Sequence, residues 1–501
     1  MKEKVVTMPK IDFVDTTLRD GHQCLWATRM TTEMMLPIAE KLDSAGFRAI
    51  ELMGVVHFDA CLRYLHEDPW ERIRLMKSHI KSTPLQAFIR SGCVLGFDLC
   101  PDDLNELWVE TLIENGIDRL VGFDGLHDFD NVAPYLNHAK KHGATTIAWL
   151  IYSVSPVHTD ELYIEKAKEI IKRANVDEIV IQDTSGVLTP ERAGTLIPAL
   201  KAVIGDIRLG LHGHSLVGLS QRTYLEAVKC GVDNVYTCIS PIADGNAPPS
   251  IQTSLKNFRH MGYETDMSDT DIAEISSHFE DIATLAGHSF GEAQDFDAAQ
   301  FHHQIPGGVL SNLASQLKAL GIPEKIDEVL NECGRVREDL GWPIQVTPFA
   351  QFMVVQATLN LIKGERYSVV PDEVKKYALG YFGKHLAPVE PNALDRIVER
   401  GSQSIALSRP KLAPVVPSLK KRFPQASKEE LLLRYAFPEE MVNNLGKKID
   451  ADGGLSTVTL PLAHLVNELI NTRRKPFVFV QNGNFQLKAE QNRSEVAGSV
   501  K

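Results

Sequence analysis

Short runs of apolar, often β-branched residues recur through the first half of the chain, at positions 11–16, 49–53, 85–89, 120–123, 146–152, 178–181, 207–211 and 234–239. Between them lie stretches of helical character. Strand then helix, repeated, is the pattern of a parallel sheet, whose strands are covered on both faces and therefore read as near-continuous apolar runs. Eight such units in about 240 residues suit a closed barrel better than an open doubly wound sheet. The expected fold class is α/β, a (β/α)₈ TIM barrel followed by a C-terminal, mostly helical domain.

After about residue 265 the pattern changes to helices, at 269–286, 308–320, 325–340 and 348–363. The expected division is a barrel over 1–265, a helical domain over 266–408, a linker and helix over 409–447, and a tail over 448–501. A Pro- and Lys-rich stretch, 409–424, leads to an expected helix at 428–445. In the tail, runs at 477–481 and 485–489 flank Asn482-Gly483-Asn484, a hairpin by its turn chemistry.

A barrel enzyme builds its site at the carboxyl ends of the strands. Those ends are polar here: Arg19, Asp20 and Gln23; Asp59; Arg90; Asp124; Tyr152; Gln182 and Asp183; His212 and His214; Asp244 and Asn246. Any single one is equally well a turn residue facing solvent. Composition narrows the partner class. A net charge of -12 argues against nucleic acid, because phosphate binding needs a cationic surface. Seven scattered cysteines without a C-x-x-C pair indicate reduced thiols, and no run of about 18 apolar residues is present, so a cytoplasmic chain without direct membrane insertion is expected.

His212-Gly213-His214 ends the seventh run, where alternation puts both imidazoles on one face. Closure of the eighth strand on the first brings Asp20 beside them. Two imidazoles and a carboxylate suit Zn²⁺, Mn²⁺ or Co²⁺, and such an ion polarises a keto or enolate oxygen. The bland alternative is a hydrogen-bonded pair of core histidines. Arg90, from the third strand, has the fork that grips a carboxylate, although a salt bridge is its ordinary structural role. Together these groups describe a pocket for a 2-oxo acid.

The segment from Asp15 to Gln23, D-T-T-L-R-D-G-H-Q, resembles the opening motif of the carboxyltransferase domains and subunits of biotin-dependent pyruvate carboxylase, transcarboxylase and the oxaloacetate decarboxylase α-subunit. So do residues 58–71 (FDACLRYLHEDPWE), 152–159 (YSVSPVHT), 304–313 (QIPGGVLSNL) and 336–343 (VREDLGWP). The resemblance runs from about 11 to 445. It implies Asp20, His212 and His214 as metal ligands, Arg19, Gln23 and Arg90 as contacts to the 2-oxo acid, and Asp59 as a supporting residue. Ser311 falls where the family has a hydroxyl that passes a proton between biotin and the enol. Read alone, it would be a helix cap.

Two departures qualify the resemblance. Where the family carries a carbamylated lysine as a further ligand, the segment 181–190 reads IQDTSGVLTP, with Gln182 in that place. Asn246 resembles the metal-ligating Asn of hydroxymethylglutaryl-CoA lyase barrels, which suggests a hybrid site of Asp20, His212, His214 and Asn246; as a plain turn residue it is equally well explained. No Ala-Met-Lys-Met segment is present, so biotin is expected on a separate carrier protein, alongside biotin carboxylase or decarboxylase subunits. A homo-oligomer is expected. The leading function is carboxyl transfer between carboxybiotin and pyruvate or oxaloacetate; the rivals are a biotin-independent lyase or aldolase and a silent assembly subunit.

Overall fold

The computed structural model describes residues 9–90, 92–93, 99–445 and the strands at 477–482 and 485–490. Eight parallel strands follow one another around a closed barrel: β1 (Asp12–Asp15), β2 (Ala49–Met53), β3 (Leu85–Arg90), β4 (Arg119–Phe123), β5 (Thr145–Ile151), β6 (Glu178–Asp183), β7 (Arg208–Gly213) and β8 (Asn234–Thr237). The ring closes by pairing β8 with β1, Val14 opposite Tyr236 and Asp15 opposite Thr237. Alternation along each strand divides the apolar residues. Ile50, Leu85, Ile89, Leu120, Ile179 and Leu209 pack outward into the core formed with the surrounding helices. Val14, Val121, Trp149, Val180 and Tyr236 point inward.

The interior also carries a polar layer. Arg119 bonds Glu178 at 2.9 Å and Gln86 at 3.1 Å, Asn234 donates to Glu178 at 2.9 Å, and Gln86 donates to Glu51 at 3.3 Å. Each of these side chains is buried with a partner, the condition under which charges persist in a core.

The helical region caps the barrel. Helices Gly307–Ala319, Ile326–Asp339, Phe349–Lys363 and Asp372–Ala378 place Val309, Leu313, Val336, Phe349, Met353 and Val374 in the same apolar cluster as the inward residues Phe88, Trp149 and Tyr236. Buried Arg337 fastens the two together, donating to Ser153 Oγ at 2.8 Å and the Val154 carbonyl at 2.9 Å. Gln304 joins it there: its side-chain amide donates to the same Val154 carbonyl at 2.7 Å, while its main-chain carbonyl accepts from Ser185 Oγ at 2.6 Å.

Two elements depart from the sequence expectation. Helix Asp269–Ala286 packs its Ile272, Ile275 and Phe279 into the outer barrel core rather than into the helical cap. The expected helix at 428–445 is two, Lys428–Ala436 and Glu439–Asn443, because Pro438 has no N–H to continue the ladder and disfavours helical backbone before it. Both pieces, with Val416–Arg422, return to the outside of the barrel through Leu419, Leu432 and Val442. In the tail, Phe477–Asn482 and Phe485–Glu490 pair antiparallel with Asn482 opposite Phe485. Gly483 and Asn484 of the expected turn, and the rest of the expected tail, lie outside the described residues.

Candidate active site

The first strand leads directly into a π-helical turn, Thr17–Gly21, in which the Thr16 carbonyl accepts from Gly21 N five residues on, at 3.0 Å. One residue more than an α-turn is wound into this space, a feature frequent at functional sites. Gly21 permits it: a Cβ there would stand 2.7 Å from the Ile242 carbonyl in the segment after β8. The turn carries Arg19 and Asp20, both buried.

Asp20 is the hub. Its Oδ2 lies 2.9 Å from His212 Nε2 and 3.0 Å from His214 Nε2, and its Oδ1 lies 2.9 Å from Arg19 Nη1. His214 Nδ1 donates to the Asn246 main-chain carbonyl at 2.8 Å, which turns Nε2 toward Asp20. The two imidazole planes are 3° from parallel, and the ring of Tyr236 stacks on His212 at 4.9 Å. Arg19 is held by Glu51 at 2.7 Å, which also accepts from Thr16 Oγ1 at 2.6 Å, and its guanidinium lies over Phe88 and Trp149. The fully buried His57 donates from Nε2 to the Arg19 carbonyl at 2.9 Å and takes the Gly54 N–H on Nδ1 at 3.2 Å.

The electrostatics follow from these contacts. Burial works against a charged Asp20, but Arg19, then His214 and His212, outweigh it and hold the carboxyl well below its usual range. Burial likewise opposes a charged His214, and Asp20 overcomes it, raising His214 well above the ordinary imidazole value. For His212 burial prevails and the value is lowered. A carboxylate oxygen serving two imidazoles is the arrangement a divalent ion would replace: tetrahedral ligands bonded at about 2.1 Å stand about 3.4 Å apart, so the ion needs these contacts to open by only about 0.5 Å. Gln182 is in register with His212 across β6 and β7 and 2% exposed, and its Oε1 has no partner among the described residues. The donor set and that unfilled acceptor fit a cation.

Gln23 follows on the helix His22–Leu25, with Oε1 buried and without a partner among the described residues. Arg90 closes β3 two residues beyond inward-facing Phe88, which turns it into the same mouth. Burial depresses its pKa, with Cys93 and Cys100 acting in the other direction. Ser311 lies in the second turn of Gly307–Ala319, and this helix packs against His22–Leu25.

Other expected residues stand apart from this cluster. Asp59 pairs with Arg63 one turn away at 2.6 Å, its side chain 45% exposed. Asn246 directs its side chain to Gly307, where a Cβ would meet Cγ at 2.5 Å, and serves His214 through its carbonyl alone. Asp124, Asp183 and Asp244 cap loop N–H groups: Leu126 at 2.8 Å, Leu188 at 2.7 Å and Ser250 at 3.2 Å. Sequence reading missed Glu51, His57 and Cys24. For Glu51 there was a signal, a lone acid inside the apolar run AIELM.

Comparison with known proteins agrees with this fold. A family model described as conserved carboxylase domain matches residues 301–469, and an HMGL-like model matches 127–278. A pyruvate carboxylase subunit of Methanocaldococcus jannaschii is 38% identical over 487 residues, covering 96% of this chain and 84% of that protein. The carboxyl transferase domain of Rhizobium etli pyruvate carboxylase, solved with oxamate and biotin, superposes with a TM-score of 0.79 at 23% identity, over 87% of this chain and 77% of that one. A point variant of Rhizobium etli pyruvate carboxylase gives 0.80 at 24% identity, and there the match takes in 87% of this chain but only 45% of the larger protein. On the barrel, its helical cap and the extent of the match to the Methanocaldococcus protein, this chain belongs to the carboxyltransferase family of the biotin-dependent pyruvate carboxylases.

Proposed function

We propose that this chain moves a carboxyl group between carboxybiotin on a separate carrier protein and a 2-oxo acid of the pyruvate type. The observation that carries the reading is the buried Asp20 carboxylate shared by His212 and His214 at the barrel mouth, with Arg19 beside it and Arg90 entering from β3. Asp20, His212 and His214 would hold a divalent ion such as Zn²⁺, Mn²⁺ or Co²⁺. When bound, that ion supplies Lewis acidity toward the keto oxygen and lowers the free energy of an enolate.

The chain's own residues do the rest. Arg90 grips the substrate carboxylate through a bidentate charge-assisted contact. Arg19, immobilised by Glu51 and Asp20, presents fixed positive charge that needs no reorganisation as negative charge develops. The capping helices remove water from the mouth, which strengthens each of these interactions. Ser311, on the helix docked by Gln304, relays the proton that leaves the substrate methyl to the biotin nitrogen that has lost its carboxyl group. Asn246, whose side chain faces Gly307, supports His214 through its carbonyl, and this favours transfer over a lyase using Asn246 as ligand.

The test is oxaloacetate decarboxylation by the purified, metal-loaded chain with and without free biotin. Stimulation by biotin that disappears in Ser311→Ala is expected. Turnover indifferent to biotin would establish the lyase, and no turnover from a metal-loaded chain would establish the silent subunit.

A further inference from the structure

We propose that Cys24 is a thiolate ligand of the ion held by Asp20, His212 and His214, supplying the negative charge that position 182 does not. The inference rests on the metal reading above and deepens it.

Asp20 and Cys24 are four residues apart in one continuous helical segment, so both project from the same side of it. Cys24 Sγ lies 3.5 Å from Asp20 Oδ1, and one donor atom each from Asp20, Cys24 and His214 falls within a mutual 4.8 Å. Oxygen and sulfur ligands of one tetrahedral ion, bonded at about 2.1 and 2.3 Å, stand about 3.6 Å apart. The sulfur therefore already occupies ligand spacing from the carboxylate.

Charge gives the reason. A divalent ion beside a single carboxylate leaves the site with one net positive charge, next to the Arg19 cation, in a buried place where uncompensated charge is costly. Gln182 is neutral, and its amide oxygen offers a dipole only. A thiolate at position 24 restores neutrality: the S–H bond breaks, the sulfur bonds the ion, and the proton leaves to solvent. The same step makes the site favour thiophilic ions, Zn²⁺ and Co²⁺, over Mn²⁺ and Mg²⁺. A cysteine whose role was packing would face apolar atoms, as the fully buried Cys61 does within the outer core. Cys24 faces a carboxylate and an imidazole.

Two measurements on the full chain test this. Loaded with Co²⁺, the wild type should show a near-ultraviolet sulfur-to-cobalt charge-transfer band that Cys24→Ser lacks, and the variant's zinc affinity should fall more than about tenfold while its manganese affinity stays within about threefold. In the wild type, bound Zn²⁺ should slow alkylation of Cys24 at least tenfold and leave Cys230, the other partly exposed cysteine, unchanged. Visible cobalt bands without the charge-transfer band, and Cys24 alkylation indifferent to Zn²⁺, would overturn the proposal while leaving the ion on Asp20, His212 and His214. If no ion binds at all, the metal reading falls and this one with it.

Discussion

Replacing Glu51 by Gln removes one charge from beneath the site and no atom from within it. In the native chain Glu51 Oε2 accepts from Arg19 Nε at 2.7 Å and Thr16 Oγ1 at 2.6 Å, while Oε1 accepts from Gln86. The residue is fully buried, and Arg19 is 4% exposed, so water cannot stand in for the lost carboxylate. Breaking a buried pair from one side costs about 3–5 kcal/mol; because Arg19 keeps Asp20 and Gln retains an acceptor, the lower end applies, about 3 kcal/mol. The cation then leans wholly on Asp20, which weakens that carboxylate as a donor, and zinc affinity should fall about tenfold, the usual scale for outer partners of a ligand. Equilibrium urea unfolding of the metal-free chain reads the first quantity and calorimetric zinc titration the second. A loss below about 1 kcal/mol together with unchanged affinity would refute the view that Glu51 sets the charge on Arg19.

Three further outcomes are expected. Burial raises the Asp15 carboxyl from 3.8 to about 7, partly offset by its bond from Thr17. Between about pH 4 and 7 the unfolded chain releases this proton and the folded one keeps it, so stability falls as pH rises, by up to about 4 kcal/mol in total; Asp15→Asn should flatten that slope and gain stability at about pH 8 but not at about pH 4, and parallel slopes for both proteins would exclude the account. Asp59→Ala should change stability by less than about 1 kcal/mol and carboxyl transfer by less than about twofold, since its ion pair with Arg63 is exposed; a tenfold loss of turnover would place Asp59 in the site after all. Gly307→Ala should push the start of the Ser311 helix away from Asn246, cutting biotin-dependent turnover more than about tenfold with zinc affinity preserved within about threefold, and full activity would show that the close approach at 2.5 Å is relieved without cost.

The barrel was legible because eight buried parallel strands leave eight apolar runs, and nothing else in the chain imitates that count. Asp20, His212 and His214 were legible for a related reason: closing β8 on β1 brings the ends of the first and seventh strands near each other whatever the details. Asp59 and Asn246 illustrate the limit. A position after a strand fixes a residue near the mouth, but the local turn decides whether the side chain faces in, and Asp59 spends its charge on Arg63 one helical turn away. Helix Asp269–Ala286 went with the wrong layer because amphipathicity reveals that a face is covered and not by what. Cys24 was invisible until the pitch of the preceding turn was known.

That pitch has a consequence for how such sites are inherited. Thr17–Gly21 closes a loop of five residues where an ordinary helix would count four, and in an α-helix each residue advances the direction of a side chain by about 100°. Excising one amino acid, Leu18 for example, would keep every side chain proposed to hold the ion in the polypeptide while turning Asp20 toward a different wall. Relatives that carry a one-residue gap here should be read as having lost the centre even when each of its side chains can be found in their sequence, and an insertion or deletion scan across this stretch would abolish ion uptake at positions where substitution scanning finds tolerance.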